Sequence, residues 1–203
     1  MYESWQRQYA AVGCDLPLIK WIDVLGMPSN YRDFHAELEQ QTSQPLDRDA
    51  MQVQRTAFIE SQLKDKPPRP GVVDYLDEAK KRNIHLAIAS GSSHRWVEGH
   101  LEQLGLRKRF EVIICREDTS QHKPLPAPFL AAADAMDVSP SSSIVIEDSP
   151  NGIRSAKAAG MFALAVPTEM TKDEDFATIG ANCKIDSLAD LPLPQLLSQL
   201  KRT

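Results

Sequence analysis

The stretch Ser143–Met161, SIVIEDSPNGIRSAKAAGM, limits the possible folds more than any other part of the chain. Ile144, Val145 and Ile146 form a short apolar run of the kind that makes a buried strand. The run stops on two adjacent carboxylates, Glu147 and Asp148. Ser149, Pro150, Asn151 and Gly152 follow, all turn formers or helix starters. Ile153, Ala156, Ala159 and Met161 then recur at roughly helical spacing, and Gly160 can end that helix. In an open parallel sheet, ligands bind beyond the carboxyl ends of strands. Two carboxylates placed there make poor core residues. A hard cation such as Mg2+ takes oxygen ligands and is usually held by one or two carboxylates with a substrate phosphate. The plainer reading is that Asp148 or Ser149 only caps the helix.

Helices and strands alternate on both sides of this stretch. Val72, Val73, Leu76 and Ala79 lie on a helix, and Ile84 to Ala89 make a strand ending at Ser90. Val97, Leu101 and Leu104 lie on a helix closed by Gly105, and Phe110 to Cys115 make the next strand. Phe129, Ala132, Ala133 and Met136 give a further helix. Residues 162–166 and 183–185 read as strands, with a closing helix over 188–200. Such alternation implies right-handed crossovers and a parallel sheet, so the fold class is α/β with a Rossmann-like core.

The first third reads differently. Trp5, Tyr9 and Val12 share a helical face ended by Gly13. Leu18, Trp21, Ile22 and Leu25 form a second stripe ended by Gly26. Tyr31, Phe34 and Leu38 form a third, behind Ser29 or Asn30 as cap. Met51, Phe58, Ile59 and Leu63 mark a fourth helix, and these aromatics are expected to form a bundle core. The tract KDKPPRPG, from Lys64 to Gly71, breaks the pattern. Two domains follow, helical over 1–66 and α/β over 67–203.

Composition excludes little but excludes it clearly. A net charge of −5 argues against a general nucleic-acid binder. No apolar run approaches the about 18 residues of a membrane span, and no leader is evident, so the cytoplasm is expected. Cys14, Cys115 and Cys183 are far apart, form no metal-type pair and read as free thiols. The five histidines show no ligand spacing.

Three strand ends carry chemistry. Ser90-Gly91-Ser92-Ser93 offers hydroxyls and backbone N–H groups at a helix start, which suits a phosphate. A plain N-cap at Ser92 or Ser93 explains it equally well. Lys123, in HKPLPAPF, sits among Pro124, Pro126 and Pro128, which fix the backbone around it. A positioned ammonium is a good point charge for phosphate. The third end is the acidic pair.

Hydroxyl, lysine and paired acids in that order resemble the haloacid dehalogenase superfamily. The nearer likeness is to its capped branch of β-phosphoglucomutase and related sugar-phosphate phosphatases. PPRPGVVDYLDEAKKRNIHLAIASGSS resembles the second motif with its lead-in, HKPLPAPF the lysine motif, and IVIEDSPNGIRSAKAAGM the acidic motif. The resemblance implies a helical cap over the active site. It implies Ser90 and Lys123 as catalytic residues, and Ser90, Gly91, Ser92 and Lys123 on the phosphate. It assigns Asp148 and Glu147 to Mg2+. It implies Mg2+-dependent phosphoryl transfer from a small phosphorylated metabolite. From charge and hydropathy no nucleic-acid or membrane partner is expected, and a monomer is expected.

One departure stands out. The family opens with an apolar strand ending in Asp-x-Asp-Gly, whose first Asp is the nucleophile, and this central strand is absent here. Asp47/Asp49 and Asp173/Asp175 neither follow an apolar strand nor precede glycine, and read as acidic helix starts. Loss of a central strand leaves buried backbone groups unpaired, at about 1–3 kcal/mol each. Typical stability is only about 5–15 kcal/mol. The expectation is a fragment, a start assigned too late, or a degenerate copy, inactive in these 203 residues. Two alternatives of function are a catalytically dead phosphate-binding or regulatory protein and a sugar-phosphate mutase. A response-regulator-like receiver fails on order, because there the acid precedes hydroxyl and lysine. It also leaves the helical third without a place.

Overall fold

A computed structural model describes residues 1–28 and 30–200. The chain divides into two units, one of residues 1–24 and 30–67, the other of residues 25–28 and 68–200. Residues 25–28 therefore group with the α/β unit and not with the helical one.

The helical unit holds α1 (Tyr2–Ala11), α2 (Leu18–Ile22), α3 (Phe34–Thr42) and α4 (Arg48–Leu63). Tyr9 and Leu38 are fully buried, and the Tyr9 hydroxyl donates to the Phe34 carbonyl at 3.0 Å. Trp5 packs on Phe34 with ring centroids 5.2 Å apart. The Arg55 guanidinium lies 3.6 Å from the Trp5 ring. Three expected stripe positions are not core: Val12 and Leu18 are exposed, and Tyr31 is 62% exposed. The reason for Tyr31 lies in the cap. Asp33, whose carboxylate accepts from the Ala36 N–H at 3.0 Å, starts α3 later than Asn30, so Tyr31 falls outside the helix. The expected cap at Ser29 lies outside the described residues. Asp47 is a plain cap of α4, accepting from Ala50 N at 2.9 Å.

The second unit runs α5 (Val72–Lys81), β1 (Ala87–Ala89), α6 (His94–Gln103), β2 (Val112–Ile114), α7 (Ala127–Ala135) and β3 (Ile144–Glu147). It continues with α8 (Pro150–Ala158), β4 (Phe162–Ala165), α9 (Phe176–Ile179), β5 (Cys183–Lys184) and α10 (Leu193–Leu200). All pairings are parallel, with Ile88 opposite Ile113 and Val145 opposite Ala163. The fold is the expected mixed α/β one with a parallel sheet. The closing helix is shorter than 188–200. Residues 188–190 form a single tight turn capped by Ser187, and Pro192 precedes α10. Asp175 caps α9 through Thr178 N at 3.1 Å.

The sheet is divided. β1 pairs with β2, and β3 with β4 and then β5, but β1 and β3 are not paired. A cavity of about 640 Å³ lies between them, lined by Leu86, Ile88, Ile144, Ile146, Phe129 and Tyr75 among others. Strands of a parallel sheet covered on both faces are normally buried throughout. Here all three residues of β1 are only partly buried, and Ile146 is 43% exposed. β1 is also cut to three residues from the expected 84–89. With one edge unpaired, its amino-terminal half has ladder partners on one side only. Among the described residues the core of this unit sits in three clusters. One packs Leu76, Leu101, Leu106 and Ile113 around β2. A second packs Ile153, Ala156, Phe129 and Phe176 around β3 and β4. The third packs Tyr75, Leu164, Leu191 and Leu196 beneath α5 and α10.

Candidate active site

The acidic motif folds as the sequence dictates. β3 ends at Glu147, and Ser149 is the N-cap of α8, its Oγ accepting from the Gly152 N–H at 3.0 Å. Pro150 takes the first helical position, where its missing N–H costs nothing. Because the hydroxyl of Ser149 caps the helix, neither carboxylate is used for that purpose. The same hydroxyl donates to Glu147 Oε2 at 3.0 Å. Gly152 is required beside it, since a Cβ there would overlap the Glu147 carboxylate.

Lys123 reaches this turn from the loop before α7. Its ammonium pairs with Glu147 Oε1 and donates to the Ala89 carbonyl at 3.0 Å. The Phe129 ring centroid lies 4.7 Å from Nζ. One buried cation thus touches the carboxyl ends of both β1 and β3. The Lys123–Pro124 peptide bond is cis.

Ser90 follows Ala89 directly. Its N–H extends the β1–β2 ladder to the Ile114 carbonyl at 2.8 Å, and its Oγ accepts from the Ser92 N–H at 3.1 Å. Ser93, not Ser92, caps α6, accepting from Trp96 N at 3.4 Å. Gly91 is held close to residues 26 and 27. A Cβ on it would meet the Met27 carbonyl at 2.6 Å and that of Gly26 at 2.7 Å. Asn151 Nδ2 donates to the Leu25 carbonyl at 3.1 Å, so the 25–27 segment lies against both the Ser90 loop and the start of α8. No hydrogen bond joins the Ser90 hydroxyl to Lys123 or Asp148 among the described residues.

Asp148 is electrostatically distinct from its neighbour. Burial and then the Glu147 charge push its carboxyl up to about 6, against the opposing pull of Lys123 and Arg69. Glu147 has Lys123 and Ser149 as partners, whereas Asp148 forms no ion pair among the described residues. Two oxygen-donor carboxylates, one of them without a cation, are a donor set that fits a hard divalent ion.

Some supporting groups carry no signal in the sequence. Thr171, fully buried, donates from Oγ1 to the Asp148 carbonyl at 2.8 Å. Arg69 donates to the Pro167 carbonyl at 2.9 Å. Both arrive from loops far from the motif, and nothing in their local sequence marks them.

Comparison with known proteins places the chain in a family. The model of the haloacid dehalogenase-like hydrolase family matches residues 16–160. YhcW, a proposed phosphatase of Bacillus subtilis (strain 168), is 35% identical over 98% of this chain and 89% of its own length. Fructose-1-phosphate phosphatase YqaB of Escherichia coli (strain K12) is 30% identical over 81% of this chain and 86% of its own. Among solved structures, β-phosphoglucomutase from Clostridium difficile superposes with a TM-score of 0.78 at 23% identity, covering 99% of this chain and 89% of its own. That likeness supports the Rossmann-like core and helical cap as the fold. With most of its length matched by one family model, and with lysine and paired acids meeting at the strand ends, this chain belongs to the haloacid dehalogenase-like hydrolases.

Proposed function

We propose that the chain is the scaffold of a Mg2+-dependent phosphohydrolase acting on a sugar phosphate or a similar small phosphate ester. The observation that carries this reading is Lys123. Its ammonium is held between the Ala89 carbonyl, next to the Ser90 loop, and the Glu147 carboxylate, next to Asp148. A phosphate seated there would meet the Lys123 ammonium, the Ser90 hydroxyl and the Gly91 N–H, and would compete with Ser90 Oγ for the Ser92 N–H. Asp148, with Glu147, would hold Mg2+, which offsets charge on a transferring phosphoryl group. Relatives support the substrate class: YqaB is named for fructose 1-phosphate, and CbbY from Rhodobacter sphaeroides, 27% identical, was solved in complex with phosphate.

The divided sheet bears on turnover. The cavity between β1 and β3 has the apolar lining and parallel edges that suit one extended strand. A carboxylate at the carboxyl end of that strand would sit between Ser90 and Asp148, where a nucleophile is needed. None of the described residues occupies this place. These 203 residues alone are therefore expected to bind Mg2+ and phosphate without hydrolysing esters.

The test is phosphate release from a panel of sugar phosphates with Mg2+. The 203-residue chain is compared with the same chain fused to an apolar strand ending in Asp-x-Asp-Gly. Release only from the fusion, lost on Lys123→Ala, supports the reading. Hydrolysis by the 203 residues alone, lost on Asp148→Asn, would place the nucleophile elsewhere in this chain.

A further inference from the structure

We propose that His94, Cys115 and Glu117 form a binding site for a borderline divalent ion such as Zn2+, apart from the Glu147–Asp148 pair. One ligand atom from each of the three lies within 4.8 Å of the others. Nitrogen, thiolate sulfur and carboxylate oxygen together suit Zn2+ or Co2+, whereas Mg2+ takes oxygen alone.

The residues come from two strand ends. His94 opens α6 just after the Ser90 loop, and Cys115 follows β2 directly. β1 and β2 are paired, so their carboxyl ends are neighbours, and sequence spacing reveals none of this. Backbone contacts hold the loops together. The Arg116 N–H donates to the Ser92 carbonyl at 3.1 Å, and the His94 N–H to Glu117 Oε2 at 3.3 Å.

The surroundings of His94 supply a second, independent pointer. Its Nδ1 lies 2.9 Å from Glu98 Oε1, and Glu98 is held by Arg107 at 2.9 Å. A histidine ligand almost always gives its other ring N–H to such a carboxylate, which fixes tautomer and ring orientation. Nε2 faces Asp118 Oδ2 at 2.6 Å. The metal would replace the proton there; Asp118, whose Oδ2 also accepts from the Cys115 N–H at 2.6 Å, lies outside the three-residue set, and water would fill the fourth position. The Cys115 thiol is buried, Glu117 is exposed, and His94 and Asp118 are each about one-third exposed, which gives an ion a route in. Tetrahedral sites with bonds of about 2.0–2.3 Å place ligand atoms about 3.3–3.8 Å apart, so an adjustment of about 1 Å closes the set. The exposed Glu117 side chain would make it by giving up its contact with the His94 N–H or with Arg116, which lies 3.4 Å away. Protons from Cys115 and His94 pass to solvent on binding.

Such an ion would tie the Ser90 loop to the segment leading to Lys123. The test is titration of Co2+, followed by Zn2+, into the metal-stripped full chain. Thiolate-to-cobalt charge-transfer absorption that saturates at one equivalent of Co2+ and is displaced by Zn2+ is expected. Cys115→Ser should abolish that absorption, and His94→Gln should weaken binding at least 100-fold. Glu98→Gln, acting only through His94, should weaken it by about 10–100-fold and keep the absorption. Asp148→Asn should leave that absorption unchanged, because an oxygen-only pair contributes no thiolate-to-cobalt band. Circular dichroism before metal addition separates loss of the site from loss of the fold. Should Cys115→Ser not fold, His94→Gln and Glu117→Gln decide. No charge-transfer absorption in the wild type overturns the proposal. So does absorption unchanged in Cys115→Ser, which would assign it to Cys14 or Cys183, or binding unchanged in His94→Gln.

Discussion

The ammonium of Lys123 and the carboxylate of Glu147 form an ion pair whose side chains are only 6% and 9% exposed. Two charges so far from water are tolerated because each has further partners, the Ala89 carbonyl for one and the Ser149 hydroxyl for the other. Removing one partner strands the other, at about 3–5 kcal/mol, while removing both costs less than the sum. Glu147→Gln and Lys123→Met should each lower the urea midpoint strongly, and the double variant should recover part of the loss. Additive losses would mean that the pair is not coupled.

Gly91 sets how closely residues 26 and 27 approach the Ser90 loop. Both atoms that a Cβ would meet are backbone carbonyls, which cannot swing away as a side chain could. Gly91→Ala should cost about 1–3 kcal/mol, as overpacking typically does. It should also weaken inorganic phosphate binding, because the loop must shift. Unchanged phosphate affinity with lowered stability would separate the glycine from the anion site.

Ile153 is fully buried on α8, in the cluster that includes Val145 and Phe176. Ile153→Ala should cost about 2–5 kcal/mol, with thermal unfolding as the readout. Since α8 carries Ser149 at its start, Mg2+ affinity should fall in the same variant.

His35 makes the helical unit sensitive to acid. Burial, and then the Arg55 charge, lower its basicity below the ordinary value, and its ring is edge-on to Trp5 at 4.7 Å. Asp33 and Glu39 pull the other way, and Arg48 adds to the lowering. A histidine held neutral in the fold binds its proton more readily when unfolded, so stability falls as pH drops through its unfolded value of about 6.5. His94 has the opposite sign, its basicity raised overall by Glu98 and Asp118 against the cost of burial. The difference in stability between wild type and His35→Gln should therefore shrink or reverse from pH 7.5 to about 5.5. A constant difference would contradict it.

How much of this was readable from the residues differs between elements. The run from Ile144 to Gly160 was legible because its apolar period changes from strand to helix at the point where Glu147 and Asp148 stand. The capping role of Ser149 was open from sequence, since Asp148 could have capped equally well, and only the Gly152 contact decides it. Tyr31 and Val12 were misplaced because helical spacing says which residues share a face, not where the helix begins or which face is covered. The break before α10 had a visible signal in Pro192. The grouping of His94 with Cys115 had none, since it depends on β1 and β2 being neighbours.

On the proposed reading Asp148, beside the Lys123–Glu147 pair, holds the divalent ion of a phosphate-binding centre. Calorimetric titration of Mg2+ and inorganic phosphate into wild type, Asp148→Asn and Lys123→Ala tests it most directly. Mg2+ should bind the wild type and strengthen phosphate binding, the Mg2+ effect should be lost in Asp148→Asn, and phosphate binding should be lost in Lys123→Ala. Equal Mg2+ affinity in wild type and Asp148→Asn would contradict it.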